Sequence, residues 1–146
     1  MSSVKTIAKH IVQTSQVPVS NLKLQKLLYY VQGWSLGLHN KPLFTEEIQA
    51  WRHGPVVPAA FFHFRHFQWN PIEVSQEKLE IDAADSAHIL EVLKEYSKFT
   101  ASQLETLSHT ESPWLEARKN LDPIESSQNV ITHESMKSYF GKLAND

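Results

Sequence analysis

Residues 21–38, NLKLQKLLYYVQGWSLGL, constrain this chain most strongly, because a helix built from them has no wholly polar side. At the helical period Leu24, Leu27, Leu28, Val31, Trp34 and Leu38 form one broad stripe, with Leu22, Lys26, Tyr29, Gly33, Leu36 and Gly37 on the other side. A helix apolar on most sides is stable only when other elements surround it, so it belongs at the centre of the fold. Gly33 and Gly37 are four residues apart on the second side. Each glycine costs about 1 kcal/mol against alanine inside a helix. Close approach of a neighbouring helix accounts for both; alternatively, Gly37 only begins the helix end before His39-Asn40-Lys41-Pro42.

The rest of the chain has the means to surround that helix. With 146 residues, 41% hydrophobic and 21% charged, it suits one domain with a real core. Val4, Ile7, Ala8, Ile11 and Val12 share one face of a first helix beginning after Ser2 or Ser3, and Ser20 caps the central one. Ile48–Trp51 reads as a short strand, His53-Gly54-Pro55 as a turn, and Pro58 as the first turn of a third helix reaching about Gln68. Ile72-Glu73-Val74 is a candidate second strand after Asn70-Pro71. A fourth helix, capped by Asp82 or Asp85, carries Ile89, Val92, Leu93 and Tyr96. Thr100-Ala101-Ser102-Gln103 is a capping box with Phe99 and Leu104 as its hydrophobic staple. Ser112-Pro113 opens a short helix, Asn120–Asn129 is a polar loop, and Thr132 caps a last helix whose apolar face is Met136, Tyr139, Phe140 and Leu143. The expected architecture is mainly α: one compact domain over residues 1–146, of about six helices with a small two- or three-stranded β element.

Composition removes several function classes. There is no cysteine, so disulfides, zinc–thiolate sites and cysteine nucleophiles are excluded. Net charge is -2, against general nucleic-acid affinity. No apolar run approaches the ~20 residues that span a bilayer, and Lys5, Lys9 and His10 interrupt any leader-like stretch, so a soluble cytoplasmic protein is expected. There is no Gly-x-Ser-x-Gly elbow and no glycine-rich phosphate loop, and the chain has only four glycines. His109-Thr110-Glu111-Ser112 falls at a helix junction, where capping is the plainer role. His63 and His66 are three apart on a helix and could face one ion with His53, but no second ligand pair completes the set. A metal-dependent hydrolase centred on these histidines therefore ranks last, and neither a cofactor nor a catalytic residue is expected.

The stretch Ile48–Phe67, IQAWRHGPVVPAAFFHFRHF, is the most unusual in composition. In a third helix Val57, Ala60, Phe61, Phe64 and Phe67 gather on a core stripe, and Phe62, Arg65 and His66 fall opposite, with Trp69 beside them. Phe, Trp and Arg are enriched at binding hot spots. Two readings stand: this second face is an interface, or the C-terminal tail and last helix cover it. Trp51 is expected to anchor the turn in the core and Gly54 and Pro55 to shape it. Arg52 and His53 then project from its edge, to contact a partner or to pair with Glu46 and Glu47. Lys23 and Lys26, near Tyr29 and Tyr30, either form a basic-aromatic groove for an acidic partner segment or snorkel from a packed helix.

Taken in order, Leu22-Lys23-Leu24-Gln25-Lys26-Leu27-Leu28-Tyr29-Tyr30 with Gly33-Trp34, then Lys41-Pro42-Leu43-Phe44, then Ala50-Trp51-Arg52-His53-Gly54-Pro55-Val56-Val57-Pro58 resemble the Panacea domain, the SocA-like antitoxin family also linked to phage-associated proteins. Tyr96, Leu104 with Ser108-His109, and Pro113-Trp114 before Ala117-Arg118 fit the same pattern, so the resemblance runs from about residue 5 to 141. Within it Lys26, Tyr29, Trp34, Trp51, Gly54 and Pro55 are motif residues with structural roles. The resemblance implies an antitoxin that binds a cognate toxin protein, encoded by an adjacent gene, with no chemistry of its own. It implies as an alternative an adaptor that delivers the toxin to a cytoplasmic protease. Many members carry an added helix-turn-helix domain for which this chain has no room, so direct DNA binding is not expected. The resemblance carries no catalytic residues to assign. The candidate partner-binding residues are Phe62, Arg65, His66, Trp69, Arg52 and His53.

Overall fold

The computed structural model describes residues 1–146. In chain order it contains α1 (Val4–Thr14), α2 (Asn21–His39), β1 (Ile48–Trp51), β2 (Gly54–Val56), α3 (Pro58–Phe64), a 3-10 turn (Arg65–Phe67), α4 (Ala83–Tyr96), α5 (Ala101–Ser108), α6 (Ser112–Arg118), β3 (Val130–Ile131) and α7 (His133–Ala144). It is mainly α, with seven helices rather than about six. Local chemistry sets most helix starts: Ser3, Ser20, Asp82, Thr100 and Thr132 each accept a backbone amide in the first turn, and Thr100 and Gln103 form the reciprocal capping box. No helix is long and apolar enough to cross a membrane.

Helix α2 is the axis of the fold, packed by α1, α3, α4, α5, α7 and β2. Leu24, Leu27, Leu28, Tyr29, Tyr30 and Val31 are all fully buried. Only the ends of its apolar surface emerge, where Leu22 and Leu38 stay exposed. The two glycines face α7. A Cβ on Gly37 would lie 2.7 Å from the Gly141 backbone nitrogen, and one on Gly33 would overlap the Phe140 ring. The glycines therefore let α7 lie directly on α2, and the helix-end reading of Gly37 is set aside, since α2 continues to His39.

The amide side chains of α2 are buried and bound to neighbouring backbone. Gln32 donates to the Phe44 carbonyl (2.8 Å) and accepts from the Leu43 amide (2.7 Å), fixing the loop before β1. Gln25 accepts from the Val57 amide (3.0 Å), and Asn21 donates to the Phe61 carbonyl (3.0 Å). Helix α3 has no side-chain cap of its own, so these two α2 side chains take over its positioning.

The sheet has order β2-β1-β3, all antiparallel. Two expectations are corrected here. Gly54-Pro55 is not the turn: Trp51 pairs with Gly54 and Ala50 with Pro55, so Arg52 and His53 are the two-residue turn and Gly54-Pro55 opens β2. Proline is tolerated because β2 is an edge strand. Gly54 has φ 108°, a left-handed-side value that favours glycine, and a Cβ there would meet Lys26 Cε at 2.7 Å. Ile72-Glu73-Val74 is not a strand either. Ile72 donates one backbone bond to Val19 (2.8 Å), beside an isolated bridge between Ser20 and Pro71, while the third strand is Val130–Ile131, paired with Gln49 and Ile48.

Candidate partner-binding face

The face is assembled at the outer end of the hairpin. From beneath, α6 holds the backbone of β1: the Trp114 indole donates to the Trp51 carbonyl (2.9 Å), and Arg118 donates to the Ala50 carbonyl (3.2 Å) with its guanidinium over the Trp114 ring. The same Arg118 donates to the Asp122 and Glu125 carbonyls, so one side chain ties the polar loop to the sheet. The turn at Arg52-His53 therefore sits on a fixed base beside Ser126, Ser127 and Gln128.

Above this base runs a continuous aromatic surface. The Trp51 ring meets Phe61 edge-on at 5.2 Å and lies 6.3 Å from Phe62; Phe61 and Phe62 are 5.4 Å apart. The Arg65 guanidinium lies over the Phe62 ring, 5.4 Å from its centroid. Phe62 is 54% exposed and Trp69 82%, and Arg65 and His66 are exposed as well. The last helix does not cover this face: it packs on Gly33 and Gly37 of α2 and against α6. Thus Phe62, Arg65, His66 and Trp69 are all open to solvent.

Several site expectations change. Phe61 and Phe67 were assigned to the core stripe with Val57, Ala60 and Phe64, but only the latter three are buried. Phe67, in the 3-10 turn after Phe64, is half-buried and still packs against the core, whereas half-buried Phe61 packs on Trp51 and Phe62 instead. Trp51 is half-buried and joins the aromatic surface instead of anchoring in the core. Arg52 and His53 do not pair with Glu46 or Glu47. Glu46 accepts from the Val4 amide (3.1 Å), Glu47 accepts from Gln49, and His53 meets Glu105 at 3.4 Å.

The lysines of α2 form no groove. Lys23 donates to the Ser97 carbonyl. Lys26 runs beneath Gly54 and is 1% exposed, and its ammonium has no hydrogen-bond partner. Burial lowers its pKa to about 8, partly offset by Glu105. The volume beside them is filled by Tyr29 and Tyr30, whose hydroxyls donate to Glu111 at 2.9 and 3.2 Å. Burial raises Glu111 to about 7, against the lowering effect of the two tyrosine bonds. Burial and the adjacent carboxylate push both tyrosines upward. Tyr30 stacks on Tyr96 at 4.0 Å, and the Tyr96 hydroxyl accepts from the Trp34 indole (2.9 Å). These perturbed groups lie in the closed core, where structural networks shift pKa values as strongly as active sites do.

The histidines do not converge. His53 is with Glu105, and His63 and His66 border a different recess with Glu73 and Lys9. Burial lowers the His63 pKa, with Lys5, Lys9 and His66 adding to it. No three His, Asp or Glu side chains gather where they could hold an ion. His109 stacks on Trp114 at 4.0 Å and ends α5.

The model of the antitoxin SocA-like, Panacea domain family matches residues 24–115, from the first turn of α2 into α6, which includes the whole aromatic surface. The chain is also 32% identical, over 114 residues, to Antitoxin SocA of Caulobacter vibrioides (strain NA1000 / CB15N), a match covering 67% of this chain and 59% of that protein. No solved structure matches the chain. The family match, over more than half of the sequence and spanning most of α2 and the Gly54-Pro55 hairpin, places this chain in the antitoxin SocA-like Panacea family.

Proposed function

We infer that the chain is the antitoxin of a toxin–antitoxin pair and neutralises its toxin by binding it directly and masking its working surface. Phe62, Arg65, His66 and Trp69 form the contact, with Arg52 and His53 at its edge. The observation that carries this reading is the exposure of Phe62 and Trp69 within the segment matched by the family model. An open aromatic-arginine patch of this kind marks an interface more often than a free surface. Cells expressing the adjacent gene alone are expected to stop growing and to recover when this chain is co-expressed. Recovery should be lost with Phe62→Ala while the variant stays folded. A neighbour harmless by itself, or a toxic one indifferent to this chain, removes the reading. Recovery that disappears in protease-deficient cells replaces masking with delivery for degradation.

A further inference from the structure

The face assigned to the toxin bears cations and almost no acids. Between Glu47 and Glu73 the sequence contains no aspartate or glutamate, although the whole chain has 16 acidic residues against 14 lysines and arginines. Arg52 and Arg65 both lie in this interval, exposed, and neither forms an ion pair; the four pairs present are Lys9–Glu77, Lys41–Asp85, His53–Glu105 and Lys94–Glu91. On the α1 side, Lys5 and Lys9 come close enough to His63 to disfavour its proton, and only Lys9 of the two is neutralised. At the other end a recess of about 360 Å³ is lined by Trp51, Arg52, His53, Ser126, Ser127 and Gln128, with no carboxylate. The acids at its margin are Glu105, held by His53; Glu73, in the recess shared with His63 and His66; and Glu47, which accepts from the Gln49 side-chain amide while the Gln49 side-chain carbonyl accepts from the Trp51 indole. A chain of net charge -2 thus places two arginines without ion-pair partners beside its exposed aromatics, while the acids at the margin are engaged or lie at its edge.

We propose that the occupant of this face is an acidic segment of a partner protein, with one carboxylate at Arg52 between Ser126 and Ser127, an apolar side chain on Phe62, and a second carboxylate at Arg65. This rests on reading the face as the toxin-binding surface. An unpaired guanidinium takes a carboxylate with two parallel hydrogen bonds, and Arg65 is already held over the Phe62 ring. A cationic partner would meet like charge, whereas an acidic one is steered in. Nucleic acid is the weaker match, because tight phosphate-backbone binding draws on many cations and this face offers two arginines and Lys5.

Random peptides of about 12 residues, displayed on phage, are selected on the full chain, and the winners are measured by fluorescence anisotropy alongside an oligothymidylate. The expected winners carry Asp or Glu on both sides of an aromatic or leucine. Arg65→Glu or Arg52→Glu should weaken them about 10-fold, and added salt should weaken them too. Lys137→Glu, the same charge change on exposed α7, should leave them unaltered, and equal thermal midpoints establish that all variants fold. Enrichment of neutral or basic sequences, no enrichment, indifference to charge reversal, or tight oligothymidylate binding without peptide binding each overturn the proposal. A neighbour that this chain fails to neutralise removes the antitoxin reading but leaves an acidic-peptide result intact. Uncharged winners remove the acidic segment and leave growth rescue untouched.

Discussion

The molecule holds two aromatic clusters that differ in what completes them. Around Phe140, the rings of Tyr29, Tyr30, Trp34 and Tyr139 lie within 5.0–6.1 Å, and the hydroxyls of Tyr29, Tyr30 and Tyr96 and the Trp34 indole are all hydrogen-bonded. Around Phe62, Trp51, Phe61 and Arg65 make similar ring contacts, yet the outer faces meet only water. Residue types are alike in the two places. What separates them is closure: α7 supplies the missing side for the first cluster, and the second has no such helix. An unclosed cluster of this composition is stable as part of the fold but incomplete as a surface.

Substitutions test that contrast, and the largest effect belongs to the closed cluster. Phe140→Ala should destabilise by about 3–5 kcal/mol, the usual cost of truncating a core aromatic, measured by urea denaturation. A loss under about 1 kcal/mol would show that α7 adds little to α2. Gly37→Ala comes next. In an open helix that change adds about 1 kcal/mol of stability. Against the Gly141 backbone at 2.7 Å it should instead cost about 1–3 kcal/mol, as overpacking does.

Glu111 gives a prediction with a defined pH window. Its folded pKa is raised from 4.5 to about 7, so the folded state holds the proton more tightly. Stability from this group is therefore full below about 4.5, falls as pH rises, and is gone above about 7. Between those limits the wild type should lose roughly 1–3 kcal/mol relative to Glu111→Gln, which has no proton to release. Parallel stability–pH curves for the two proteins would refute the assignment. Smallest in stability is Phe62→Ala, expected within about 0.5 kcal/mol of wild type while growth rescue is lost. Should it unfold the protein as Phe140→Ala does, the two clusters are one core and the proposed interface is wrong.

Local signals in the sequence were read well. The caps at Ser20, Thr100 and Thr132, the strand Ile48–Trp51 and the start of α3 at Pro58 all depend on neighbours within four residues. The exposure of Phe62 was also legible, because helical period turns it away from Ala60 and Phe64, while Arg65, His66 and Trp69 lie past the end of α3 and are exposed through the 3-10 turn and the bend after it. Phe61 and Trp51 were misplaced for a shared reason. Each can pack inward or against the other, and the choice depends on where α3 crosses the hairpin, which Asn21 and Gln25 of α2 fix from about 30–40 residues away in sequence. Ser126 and Ser127 carried no signal at all, since their place beside Arg52 follows from three guanidinium bonds made by Arg118.

By itself the sequence determined that residues 21–39 must be surrounded and that the chain has no cysteine chemistry, and it left the glycines on their second side open between a close neighbour and a helix end. Periodicity and composition suffice for such statements, because burial of an all-round apolar helix is required by its own surface. Only the tertiary structure decided which helix fills the glycine side, that Lys26 is enclosed beneath Gly54 and Glu111 behind two tyrosines, and that nothing returns to cover Phe62. Those outcomes depend on the competition of several apolar faces for one axis. Helix α7 can lie on only one flank of α2, and the glycines draw it to theirs, leaving Phe62 uncovered.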